Sequence, residues 1–316
     1  MNAIGKSSAI FVTLSGLFWG GWIVGSQTPE GQEAIARAYA AYEEQQAAAS
    51  ANLFDSTALR AIVCGDPNSA EQKPCLAVVA AGRMFIVDAG SGAASSLARR
   101  NIPMERLAAV LLTDADLPQA ADLSAVYGAS ARGGETLLPV YGPAETQRLV
   151  DGLNQAGGFD GATRGLQAWG PSPEPGRSVI VFEADGLVVS AFTTQEDAFE
   201  GRVGYRFDYR GRSIVVGGDG RVATAAAARD ADVVLQGAET QRTAQVTGGF
   251  SAAEAAANAQ ALNTGMMVLT GAENPIAAQT QIAEARAAGF SDVAAARVGM
   301  LVELPLANSE INVRAL

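Results

Sequence analysis

The sequence predicts an α/β (α+β) protein, a four-layer αββα sandwich preceded by one N-terminal transmembrane helix. Three observations carry this. Short apolar runs of strand length alternate with helical stretches from about residue 58 onward. They fall into two successive strand-then-helix halves around a mixed sheet core, unlike the even βαβ rhythm of a doubly wound sheet. An uncharged segment from Ser7 to Pro29 opens the chain, with Ala9–Val24 almost wholly apolar.

That opening run is close to the ~20 residues that cross a bilayer. Lys6 precedes it and Glu30 and Glu33 follow it, so the charge bias predicts a cytoplasmic N-terminus, with Trp19 and Trp22 at the outer interface. A cleaved signal peptide is the alternative. The expected organisation is an anchor over 1–27, a stalk or juxtadomain helix over 28–57, and one domain over 58–316. Thr28 caps the stalk helix and Pro29 suits its first turn.

Strands are predicted at Ala61–Cys64, Leu76–Ala80 and Arg83–Val87, because each is a compact apolar run bounded by turn residues. Gly-rich DAGSGAASSLARR turns into a helix, LAAVLLT is a buried strand, and a helix starts near Pro118. LLPVYG gives another strand, a helix runs from Ala144 to about Leu153, and GPSPEPG is a loop. SVIVFEA, LVVSAFT, VGYRFDYR and SIVVGGD read as four strands. The chain then alternates: helix Val222–Arg229, strand DVVLQ, helix Ser251–Leu262, strand MMVLTG, helix Pro275–Ala288 and a strand near Met300–Leu304.

Composition narrows the chemistry. Lys and Arg total 22 against 33 Asp and Glu, a net charge of −11, which disfavours binding to nucleic-acid phosphates. The 48% hydrophobic content supports a large core. There is no histidine, so Ser–His–Asp catalysis, Cys–His catalysis and any imidazole-ligated zinc are excluded. Ser91 has no histidine to activate it, and Lys6 and Lys73 are the only lysines. Cys64 and Cys75 are the only cysteines; in an exported chain they read as a disulfide, in a cytosolic one as two buried thiols.

The segments IVCGDPNS…KPCLAVV, FIVDAGSG, AAVLLTDADLPQAADL, LPVYGP, VGYRFDYRGRSIVVGGD, ADVVLQGAE, SAAEAA and MMVLTG, in this order, resemble the metallo-β-lactamase fold family in its ribonuclease Z and arylsulfatase-like branch. The resemblance implies a dinuclear metal site on an LTHxHxDH loop, and that site is degenerate here. The loop's histidines fall on Asp114, Asp116 and Gln119, and its aspartate on Pro118. A further histidine falls on Glu196, a His-Glu pair on Gln236-Gly237, a catalytic histidine near Gly249 and a last ligand on Gly271, while Asp219 is kept.

Two readings of the remnant stay open. Asp114, Asp116, Glu196 and Asp219 could hold Mg²⁺, Mn²⁺ or Ca²⁺. Alternatively Asp116-Leu117-Pro118-Gln119 is a capping box that opens the next helix, and no cofactor is bound. The preferred expectation is a catalytically inactive pseudoenzyme in a bacterial inner membrane, single-pass with its domain periplasmic. It would serve as an accessory or scaffold subunit, contacting an integral membrane protein or complex through the anchor and the domain surface. A hard-cation phosphoesterase-like hydrolase and a small-molecule sensor are the alternatives.

Overall fold

A computed structural model describes scattered positions between 28 and 41, and residues 52–316 except 67–74, 132–136, 195–201, 219–225 and 248. The expected anchor over 1–27 lies outside the described residues, as do Glu196 and Asp219. Among the described residues no helix is long and apolar enough to cross a membrane. The chain divides into two units, Met1–Asn52 and Leu53–Leu316. In the first, Pro29, Gln32, Glu33, Ala36, Arg37, Ala40 and Ala41 are helical, which fits the predicted helix.

The second unit is the sandwich. Its strands are β1 (Ala58–Val63), β2 (Leu76–Ala80), β3 (Arg83–Val87), β4 (Leu107–Leu111), β5 (Leu137–Tyr141), β6 (Gly165–Trp169), β7 (Ser178–Ala184), β8 (Leu187–Thr193), β9 (Val203–Tyr209), β10 (Arg212–Val216), β11 (Val233–Gly237), β12 (Met266–Thr270), β13 (Val293–Ala295), β14 (Met300–Pro305) and β15 (Asn312–Ala315). One sheet runs β15-β14-β1-β2-β3-β4-β5-β6, the other β13-β12-β11-β10-β9-β8-β7. The helices that cover them are α1 (Ala93–Arg99), α2 (Leu117–Ala120), α3 (Leu123–Ser130), α4 (Thr146–Gly157), α5 (Gln241–Thr247), α6 (Ala252–Ala261) and α7 (Pro275–Ala287).

Strand alternation assigns the layers. Leu59, Val78, Phe85, Leu111, Phe207, Ile214, Leu235 and Val268 meet between the two sheets. Opposite faces of the first sheet's strands, through Ile62, Ile86 and Val110, pack on Leu97 of α1, Val126 of α3 and Val150 of α4. Met267 and Leu269 pack under the alanine-rich faces of α6 and α7. The order is therefore helix, sheet, sheet, helix.

Within each sheet the parallel run is β3-β4-β5-β6 or β10-β11-β12-β13. Their carboxyl ends, and the loops that leave them, lie at one end of the sandwich, where ligand crevices form in sheets of this kind. Several predicted boundaries shift. The helix expected over 144–153 runs Thr146–Gly157, and within Val222–Arg229 the described residues show only a 3₁₀ turn at Ala226–Ala228. β6, α5, β13 and β15 were not predicted.

Cys64 and Cys75 form a disulfide, with Cα atoms 4.9 Å apart. They extend the β1–β2 ladder by one pair, since Cys64 N–H donates to Cys75 O at 2.9 Å. Replacing both by alanine is expected to cost about 3 kcal/mol, from the entropy of the short loop they close. Urea unfolding of the double variant against the oxidised chain measures it, and a loss below about 1 kcal/mol would show that the ladder alone holds the two strands.

Candidate functional site

The crevice is built where β3 and β4 end. Asp88 follows β3 in a left-handed conformation, φ 55°, which aspartate tolerates better than most residues. Its carboxylate is almost fully buried and accepts from Thr113 N–H at 2.7 Å and from Thr113 Oγ1 at 2.7 Å. Thr113 in turn faces Gly218 at the end of β10, at φ 56°, where any Cβ would overlap the threonine side chain. Gly218 O accepts from Gly237 N–H at 2.6 Å. Asp88, Thr113, Gly218 and Gly237 thus tie the two sheets together at the crevice floor.

Beside this floor lies a narrow cleft, partly open to solvent, with about 20 Å³ of free volume. Val63, Leu76, Val216, Leu235, Ala296 and Val298 form its apolar walls, with Asp66, Asp88, Thr270 and the disulfide also in its lining.

Of the residues that the resemblance grouped together, all but Glu196 and Asp219 lie among the described residues. Asp114 is half-buried and both its oxygens are used: Oδ2 accepts from Arg202 Nε at 3.0 Å, Oδ1 from Asp116 N–H at 3.2 Å. Asp116 occupies the N-cap position of α2, but its side chain makes no capping bond, so the expected capping box does not form. Asp114 accepts the Asp116 amide instead, and α2 closes only four residues. Pro118 is exposed and Gln119 buried; the Gln119 backbone O accepts from Ala89 N–H, bracing the loop after β3.

Gln236 does not enter the cleft. Leu235 lines it, so the alternation of β11 turns Gln236 toward the helix-covered side, where its Nε2 has no hydrogen-bond partner among the described residues. Gly249 sits against the Glu239 carboxylate, and Gly271, at φ 84°, lines the cleft without a side chain. Ser251, next to the Gly249 position, makes the capping box that was expected elsewhere: it exchanges bonds with Glu254 at the start of α6.

A zinc site does not fit these residues. Imidazole is absent from the chain, proline and glycine have no donor side chain, and among the described residues no three His, Cys, Asp or Glu side chains converge to hold an ion. A hard cation meets the same obstacle at Asp114, whose charge is neutralised by the Arg202 guanidinium. Arg202 was missed in the sequence reading. It precedes β9, 88 positions from Asp114, and no local pattern signals the pairing.

Tyr205 anchors the floor from the second sheet. It is fully buried and its phenol donates to Leu112 O at 2.9 Å. Burial pushes the phenol well above its ordinary value, and the nearby Asp88 carboxylate adds to the shift. A raised folded-state value means stability is complete below the unfolded tyrosine pKa of about 10 and falls above it, by up to about 1.4 kcal/mol per pH unit. Tyr205→Phe is expected to remove that share of the alkaline loss, at a cost of about 1 kcal/mol near neutrality. Unfolding free energies at pH 8 and pH 11 give the comparison; parallel pH dependence in the two proteins would refute the assignment.

Comparison with known proteins supports this architecture. No family model matches the chain. Ribonuclease Z of Mycobacterium avium is 28% identical over 164 residues, covering 49% of this chain and 58% of the relative. The chain thus spans less than two thirds of the length of the curated relatives it matches. Human tRNase Z, short form, superposes with TM-score 0.61 at 17% identity over 78% of this chain and 99% of that one. The metallo-β-lactamase fold protein YhfI from Bacillus subtilis gives 0.60 at 18%, again over 78% and 99%. The fold is the metallo-β-lactamase fold, as the sequence landmarks implied.

Two expectations are corrected. An inactive accessory subunit of a membrane complex is overturned by the relatives, which carry the names of hydrolytic enzymes. The inner-membrane, periplasmic placement falls on the same relatives and on the lack of a membrane-crossing helix among the described residues.

Proposed function

We propose that this chain, a metallo-β-lactamase fold built without histidine, binds a small organic molecule in the cleft at the carboxyl ends of its strands. The cleft itself carries the reading. Its apolar walls and few polar groups match the usual make-up of a small-ligand site, and its free volume of only about 20 Å³ means that a ligand must widen it on entry. The net charge of −11 argues against a nucleic-acid ligand there.

The names of the curated relatives favour a second reading, a phosphoester hydrolase. Without histidine it would have to use a hard cation on Asp114, Asp116, Glu196 and Asp219, and Asp114 would first have to leave Arg202.

One experiment separates them. Small organic fragments are screened by thermal unfolding, with Val298→Phe to fill the cleft from a position that is only partly buried. A ligand at 100 times its Kd should stabilise the wild type by about 2.7 kcal/mol and leave the variant unchanged, with chelator present or absent. Hydrolysis of bis(p-nitrophenyl) phosphate that requires Mn²⁺, Mg²⁺ or Ca²⁺ and is lost in Asp219→Ala would overturn this in favour of the hydrolase.

A further inference from the structure

At the same end of the sandwich, the carboxyl ends of β4, β5 and β6 are stitched together beyond the ladder. Leu112 N–H donates to Tyr141 O at 2.7 Å, and Gly142 N–H to Trp169 O at 3.1 Å. Tyr141 and Trp169 are register partners. Their rings stack, with centroids 6.3 Å apart and planes 24° from parallel. Tyr141 packs on the inter-sheet core, whereas Leu166 and Ala168 pack on the helix side, so alternation puts the Trp169 ring on the inter-sheet face as well. Trp169 is 50% exposed, an unusual amount for the largest apolar side chain.

Arg202 enters this opening from the second sheet. The next residue, Val203, donates its N–H to Thr113 O at 3.0 Å. Leu111 is level with Tyr141 and Trp169 in the ladder, so Thr113, two residues further on, lies about 12 Å from Trp169. The guanidinium commits Nε to Asp114, its side chain is about one third exposed, and its two terminal nitrogens have no hydrogen-bond partner among the described residues. A planar fork with free donors recognises a carboxylate or phosphate in a bidentate manner. An exposed indole stacks on an aromatic ring.

We infer that Trp169, backed by Tyr141, and Arg202 form a subsite for a ligand in which a planar aromatic ring is joined to a phosphate or carboxylate. The ring lies on Trp169 and the anion meets the terminal nitrogens of Arg202. Asp114 positions the guanidinium without contacting the ligand. This goes beyond the cleft reading, because it names a second site and the chemical class that it takes. It draws on residues outside the cleft lining, so the two readings can fail separately.

The test uses the full chain and calorimetric titration with benzyl phosphate, phenylacetate, inorganic phosphate and benzyl alcohol. Benzyl phosphate and phenylacetate together show which anion is preferred. At least one of them should bind ten times or more tighter than phosphate or benzyl alcohol. It should also quench the emission of Trp169, the only tryptophan outside residues 1–27. Trp169→Leu and Arg202→Gln should each weaken binding at least tenfold, equivalent to 1.4 kcal/mol. Arg202→Lys keeps the Asp114 pair and loses the fork, so it should also weaken binding while melting like the wild type.

Wild-type affinity in Trp169→Leu or Arg202→Lys, or no saturable binding of either ring-bearing anion, would overturn the subsite. If fragments still stabilise the chain and Val298→Phe blocks them, the cleft reading survives that result. Binding of benzyl phosphate that ignores Val298→Phe, with no fragment stabilising the chain, would sink the cleft reading instead.

Discussion

Replacing Arg60 by methionine is expected to destabilise the domain by about 3–5 kcal/mol. Arg60 lies on β1 with its side chain 5% exposed, yet every donor of its guanidinium group is used. Nε donates to Glu303 at 2.7 Å, NH1 to Leu53 O at 3.0 Å and Asp55 O at 3.2 Å, and NH2 to Asp55 and Thr57 Oγ1. Removing the cation leaves Glu303 on β14 facing β1 without its partner. Burial alone would raise the Asp55 carboxyl, but the Thr57 and Arg60 bonds hold it below its ordinary value. A depressed folded value contributes stability above the unfolded pKa of about 3.9, lost as pH falls through the folded value. Arg60→Met should therefore shrink the acid-side slope as well as the plateau. Chemical unfolding at pH 7 and pH 3 measures both. A loss below about 1 kcal/mol at pH 7 would show that the cluster behaves as an ordinary surface network.

Asp88→Ala is the second large effect, expected at about 3 kcal/mol. Two charge-assisted bonds to Thr113 disappear, and the buried Thr113 N–H and hydroxyl lose their acceptor. The left-handed backbone at φ 55° adds to the cost, because alanine is less at ease there than aspartate or asparagine. Asp88→Asn keeps the backbone preference and an acceptor, and is expected to cost about 1 kcal/mol. Asp88 also lines the cleft and Thr113 carries the contact to Gly218, so the alanine variant should lose fragment-induced stabilisation along with stability. Equal stability of the alanine and asparagine variants would refute this account of Asp88.

Much of the sandwich was legible in the chain. The strands of the inter-sheet core announce themselves as compact apolar runs, such as LAVVA, RMFIV and VVLQG, because both faces of each are buried. β6, GLQAW, escaped because it is an edge strand of five residues with no alternation and glycine at its start. β15, NVRA, is exposed along its length and has no apolar signal at all. The helix boundary at Asp116 was right while its chemistry was not: the local pattern supplied a capping box, and the neighbouring Asp114 carboxylate took the Asp116 amide instead.

The sequence alone determined what chemistry is closed to this protein. A chain without histidine cannot hold zinc through imidazole, whatever its fold. Its strand periodicity and glycine-rich turns, which are local properties, also determined the αββα layering, and the resemblance of its ordered landmarks implied the metallo-β-lactamase fold. The tertiary structure decided where the surviving charges go. Asp114 meets Arg202 across 88 residues, Asp88 locks Thr113, and Gln236 turns to the helix side of its strand. Those outcomes depend on which strands pair and which face each residue takes, and they convert a row of expected ligand positions into an ion pair, a buried brace and a cleft.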